Sequence, residues 1–335
     1  MATTATPPIS RTEHSSAATR KPTAALLRIT YCLVFLAAIL LNIYNDKRFL
    51  GDIQTDGFTF QVNYISNYFS GGGKLFDLEP LLWIHSLRTV ITEFFLYFEE
   101  LGGPGLATFV ILLLYVPVIR MFRHAKWPNV AVILPLTVVL LSYRSSLVIL
   151  SLAYLMMFVI DRRSWPFLVV SFLFANLSSG AVLNSVIIAL TIGRTYRRNS
   201  VALYVYIGLL LVSFYISATD KYSGFSQGLS GYDATVYGVD GVTAILSRNT
   251  IFVSLLNGDY ERAIVYSLIV MVALVTLVVS LRDPKYRGYG VIFLSAVPSF
   301  LLEGLGVVSL IVPFLLFLAN LKLPLRPDPS VAAKA

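Results

Sequence analysis

The apolar positions do not alternate or recur in 3.6-residue stripes; they form long runs that are apolar all round. These runs cover roughly residues 29–44, 106–122, 130–143, 145–160, 166–177, 180–193, 201–218, 263–281, 289–302 and 305–321. A helix needs about 20 predominantly apolar residues to cross a bilayer, and one that is apolar on every side belongs in a large core or in lipid. The pattern predicts an all-α polytopic membrane protein with about ten transmembrane helices. Residues 1–28, rich in Thr, Ala, Ser and Pro with four basic side chains, read as a disordered cytoplasmic tail. Residues 29–322 read as a single integral-membrane domain with outer loops at 45–105 and 219–262, and residues 323–335 as a second cytoplasmic tail. The first run ends in Tyr44-Asn45-Asp46 with no small-residue cleavage site, which predicts a retained anchor.

Three hairpins are the most informative part of the pattern. Residues 130–160, 166–193 and 289–321 must each go out and back in too few residues for two full spans. An arm of about 14 residues reaches ~21 Å of a ~30 Å hydrocarbon core. Each turn is polar: Tyr143-Arg144-Ser145-Ser146, Asn176-Leu177-Ser178-Ser179-Gly180 and Glu303-Gly304-Leu305-Gly306. Non-helical polar backbone at membrane depth is tolerated only inside protein or beside a water-filled cavity. The expectation is therefore a vestibule open to the extracytoplasmic side, floored by the three tips. Residues 81–101 are apolar enough for a helix but carry His85, Arg88, Glu93, Glu99 and Glu100, and read as an amphipathic helix lying at the outer interface, with a transmembrane helix as the alternative.

Composition sharpens this picture. Charged residues make up 13% of the chain and apolar ones 56%, against about 25% charged in soluble domains, which leaves no room for a separate soluble catalytic domain. A net charge of +8 could suggest nucleic acid, but the 26 Lys and Arg fall in short clusters between apolar runs. With both termini inside, 18 of them lie on the cytoplasmic side and 8 outside, the bias expected of an inserted protein. The only cysteine, Cys32, lies within the first run, so neither an intrachain disulfide nor a Cys-based metal site is expected.

Several chemical motifs are excluded. Gly224-Phe225-Ser226-Gln227-Gly228 matches a nucleophile elbow, but it follows no strand and no histidine comes after it. Gly71-Gly72-Gly73-Lys74 lacks the earlier glycine and the following Ser or Thr of a phosphate-binding loop. No Asp-x-Asp pair or His cluster is present to hold a metal. What remains are charges near the outer face. Arg144 stands between two apolar arms, and its planar donor fork suits phosphate or carboxylate. Glu303, at the third tip, is either its ion-pair partner or a base. Asp52, Asp56, Asp77 and Glu79 lie in the first outer loop, where solvation is the default for a carboxylate.

The order of features resembles the EpsG-type branch of Wzy polysaccharide polymerases. Gly51-Asp52-Ile53-Gln54-Thr55-Asp56, then Tyr64 and Tyr68, then Phe76-Asp77-Leu78-Glu79-Pro80-Leu81-Leu82 is similar to that family's Asp, Tyr and Glu-Pro stretch ahead of a helix. Tyr143-Arg144-Ser145-Ser146-Leu147 resembles its Arg-x-x-Leu-Ala start of a span. Phe174-Ala175-Asn176-Leu177-Ser178-Ser179 falls where many members have Phe-His-x-Ser, with Asn176 in place of the histidine. The resemblance covers roughly residues 30–195. It implies a GT-C-like membrane glycosyltransferase of the bacterial inner membrane, multi-pass, working without metal, nucleotide or other cofactor. Such an enzyme joins oligosaccharide repeats carried on undecaprenyl pyrophosphate into O-antigen, capsule or exopolysaccharide at the outer face. Its partners would be the lipid-linked oligosaccharide, membrane lipid, a chain-length regulator and a flippase, and not nucleic acid.

On this reading Arg144 binds pyrophosphate with help from Arg88 and Arg248, Asn176 and Ser178 line the substrate, and Asp56 or Glu79, then Glu303, is the general base. Two rivals stand beside it: a flippase or transporter of the same lipid-linked sugar, which would carry internal repeats and broken helices, and a non-catalytic subunit of an envelope polysaccharide assembly complex.

Overall fold

A computed structural model describes residues 20–49, 65–74, 80–161, 165–196, 201–226, 250–256, 258–283, 286–302, 305–321 and 323. The described elements are all helical. In chain order they are α1 (Arg20–Tyr44), α2 (Pro80–Met121), two 3₁₀ turns (Phe122–His124 and Pro128–Val132), α3 (Ile133–Leu140), α4 (Tyr143–Asp161), α5 (Pro166–Ala175), α6 (Ser179–Tyr196), α7 (Val201–Ser226), α8 (Thr250–Leu256), α9 (Tyr260–Arg282), α10 (Arg287–Leu294), α11 (Ala296–Leu302), α12 (Leu305–Val308) and α13 (Ile311–Leu318).

Among the described residues, five helical stretches are long and apolar enough to cross a membrane: Leu26–Tyr44, Leu82–Met121, Tyr143–Ile160, Val201–Thr219 and Ala263–Arg282. Pro128–Leu140, Pro166–Ala175, Ser179–Thr191 and Leu305–Leu318 are apolar but shorter. The short arms expected of the hairpins are thus present: the 10 residues of α5 rise only about 15 Å. Burial sorts the long helices. In α4, 83% of the most apolar window is buried, against 11% in α1 and 22% in α9, so α4 is the axis of the bundle. Leu33, Leu36 and Leu40 of α1 and Ile264, Leu268 and Val275 of α9 point outward. Apolar faces of that extent belong in lipid rather than in water.

Proline explains where the short arms start and break. Pro128 and Pro166 open their helices, where the missing N–H costs nothing. Pro298 and Pro313 stand third in α11 and α13; in one continuous helix each would clash with the carbonyl four residues earlier and leave it unbonded. The third hairpin is therefore four short helices, not two spans. Ser295 and Ser309 sit at the breaks, and their hydroxyls donate to the carbonyls of Ile292 at 2.6 Å and Gly306 at 2.7 Å. Each buried hydroxyl thereby finds its acceptor inside the protein, as a polar side chain in an apolar setting requires.

Helix α2 is two limbs. Gly103 has φ 65°, a left-handed conformation that glycine adopts without strain, and Pro104 starts the second limb. That limb packs beside α1, with Gly105 against Ile43. The first limb, hereafter the arm, meets the protein at two places. Near its C-terminal end, Glu99 accepts a hydrogen bond from the Phe49 N–H at 2.6 Å, and Phe95 stacks on Phe49 at 5.4 Å. Further back, Arg88 reaches the turn between α5 and α6. Phe49 also stacks on Tyr143 at the start of α4, and neighbouring Arg144 bonds the same α5–α6 turn. Both places lie at one end of the bundle, so the arm runs across that end.

Candidate functional site

Local sequence builds the three tips. Ser142 caps α4: its hydroxyl accepts the Ser145 N–H at 3.1 Å, the N-cap role that Ser performs well. This places Arg144 in the first helical turn. Ser178 plays the same part for α6, its Oγ 3.4 Å from the Ala181 N–H. Between Ala175 and Ser178 the α5 helix ends in tight turns, leaving the last carbonyls of α5 available to outside donors.

Two guanidinium groups take them. Arg88 Nε donates to the Asn176 carbonyl at 2.6 Å, and Arg144 donates to the next carbonyl, that of Leu177, through Nε at 3.2 Å and Nη2 at 2.8 Å. Cations at a helix C-terminus complement its dipole, so both arginines cap α5. Asn176 is fixed in turn: its amide donates to the Phe172 carbonyl at 2.7 Å, and the Ser213 hydroxyl of α7 donates to its Oδ1. Around them Tyr143 bonds Thr108 at 2.6 Å and the Pro104 carbonyl at 3.1 Å, while Ser145 meets Tyr266 of α9 at 3.0 Å. The third tip closes on the second. A Cβ built on Gly306 would lie 2.5 Å from the Gly180 backbone, and Asn184 donates to the Gly306 carbonyl at 2.7 Å and meets Ser309 at 2.9 Å.

Four of the residues named from the sequence, Arg88, Arg144, Asn176 and Ser178, thus meet at one point. Asp56, Glu79, Glu303 and Arg248 lie outside the described residues. The expectation of tips forming an open floor needs correction. Ser145, Ser146, Asn176, Leu177, Ser178 and Ser179 are all buried, as are Leu305 and Gly306, because the tips pack on one another and the arm's Arg88 binds the middle one. Among the described residues of the three tips, Ser142 is exposed and Arg144 half-buried, so the α4 corner is the most open part of the described tips. Among the described residues no group of three or more His, Cys, Asp or Glu could hold a metal ion.

Sequence reasoning missed three contributors. Ser213 is one of two serines in the apolar run of α7, and a buried polar group there usually has a partner in the bundle. Asn42 in α1 donates to Thr108 at 3.0 Å. Lys47, just past α1, spans the α3–α4 corner: its ammonium donates to the carbonyls of Val138, Val139 and Leu141 and lies 4.9 Å from the Tyr143 ring centre. Burial pushes its pKa down from 10.5 to about 7.

In comparisons with family models, characterised proteins and solved structures, the chain matches none.

Proposed function

We propose that this protein polymerises oligosaccharide repeats carried on a polyprenyl pyrophosphate, at the outer face of a bacterial inner membrane and with both termini in the cytoplasm. The observation that carries this reading is the convergence of Arg88 and Arg144 on consecutive carbonyls where three hairpin tips meet. Each guanidinium offers a planar fork that matches phosphate oxygens bidentately. The pyrophosphate would enter at the exposed α4 corner, with its polyprenyl chain remaining in lipid. The motif resemblance supports the same reading, since it brings Arg144 and Asn176 into one family pattern. Transfer also needs an acceptor for the hydroxyl proton; Asp56, Glu79 and Glu303 carry that expectation from the sequence. Arg248 would assist pyrophosphate binding, and a chain-length regulator and a flippase would work beside the enzyme.

One observation favours a second reading. The broken helices α10–α13 are the kind of element that transporters place at a substrate site, so a flippase of the same lipid-linked sugar is the rival. The full chain reconstituted in liposomes with a polyprenyl-pyrophosphate-linked repeat separates the two. Products longer than one repeat are expected; movement of the repeat across the bilayer without extension would support the flippase instead. Neither outcome would point to a non-catalytic subunit.

A further inference from the structure

Resting on the polymerase reading, we infer that His85, and not one of the acidic candidates, takes the proton from the attacking sugar hydroxyl. His85 and Arg88 are three residues apart on the arm, which places their side chains side by side on one helix face. That face is the inner one: Ile84, Arg88, Ile91, Thr92 and Phe95 are buried, whereas Trp83, Val90, Phe94 and Tyr97 on the opposite face are exposed. Within it, His85 Nδ1 is buried with no hydrogen-bond partner. Buried imidazole nitrogens are normally hydrogen-bonded, and this one, on a half-buried side chain next to a guanidinium bonded through its Nε, can take a substrate hydroxyl as its partner. The neighbouring polar groups are already engaged, Thr92 by the Arg88 carbonyl at 2.8 Å and Asn176 by Phe172 and Ser213.

The step balances without any further reactant. The acceptor hydroxyl oxygen forms a bond to the anomeric carbon of the donor glycan. The bond from that carbon to the pyrophosphate oxygen breaks, and its electron pair leaves with the pyrophosphate held by Arg88 and Arg144. The hydroxyl proton passes to His85. Here the lipid-linked pyrophosphate is both anchor and leaving group.

The experiment uses the full chain in liposomes with a polyprenyl-pyrophosphate-linked repeat, comparing wild type with His85→Gln, Asp56→Asn and Glu79→Gln. Removal of a true base costs on the order of 10²- to 10⁴-fold in rate. His85→Gln should lose that much in kcat with KM nearly unchanged, bind inorganic pyrophosphate as wild type does, and reach the membrane at wild-type levels. Unchanged kcat in His85→Gln, or an equal rise in KM with kcat preserved, overturns the inference while wild-type extension leaves the polymerase reading standing. A wild type that neither extends the repeat nor binds pyrophosphate overturns both. If His85→Gln fails to accumulate, the sequence supplies a second route, because His14 and His124 are the only other histidines. With both replaced by Asn, the single imidazole NMR signal should shift when inorganic pyrophosphate is added. No shift overturns the inference.

Discussion

At the scale of single residues, the site is a set of charged groups held by backbone carbonyls. Arg88 and Arg144 end a helix, and Lys47 does the same for α3, where the carbonyls of Val138, Val139 and Leu141 face its ammonium. Lys47 gives a pH dependence whose sign can be worked out. Its folded pKa, about 7, lies below the ordinary 10.5, so between these values the unfolded chain holds a proton that the folded protein has released. Stability then rises with pH across that window and is lower below it. The melting temperature of the detergent-purified protein should climb between pH 7 and pH 10, and Lys47→Met should flatten the slope. An unchanged slope in the variant would show that Lys47 does not titrate there.

At the scale of elements, the tips are locked by close backbone approach. Gly306 has no room for a methyl group against Gly180, so Gly306→Ala must push the second and third hairpins apart, at about 1–3 kcal/mol for an overpacked contact. Gly208, in the middle of α7, has nothing within 4 Å of an added Cβ, and there alanine should stabilise by about 0.5–1 kcal/mol. Melting temperatures of the two variants should therefore move in opposite directions, and a Gly306→Ala protein as stable as wild type would argue against the locked tips. Much of this level was legible in the sequence. The short arms and polar turns followed from counting apolar residues against bilayer thickness, and Arg144 stood out as a charge between apolar arms. The break-up of residues 286–321 was signalled by Pro298 and Pro313, yet their effect depends on which carbonyl each would have blocked. The partners of Asn176 and Lys47 were not legible at all. Ser213 lies 37 residues from Asn176, and Val138 lies 91 from Lys47; contacts of that separation are set by how helices pack, not by local pattern.

At the scale of the whole molecule, the arm, the three tips and the α4 corner share one end of the bundle, the end that the proposed function places at the outer face. In a Cys32→Ser background, an impermeant thiol reagent should label Asp240→Cys in intact cells and leave Arg198→Cys unlabelled. The reverse pattern would turn the protein over and put the arginines on the cytoplasmic side. The central claim, that Arg88 and Arg144 together hold a pyrophosphate by the geometry of their donor forks, is tested most directly by glycan length in a strain lacking the native gene. Lysine keeps each charge and loses the bidentate fork. Arg88→Lys and Arg144→Lys are predicted to shorten or abolish the polymer ladder while membrane protein levels stay normal. If either arginine only pairs with a buried acid, truncation to methionine strands that acid at a cost of ~3–5 kcal/mol, and activity and protein are lost together. Full-length ladders from both lysine variants, at normal protein levels, would contradict the claim.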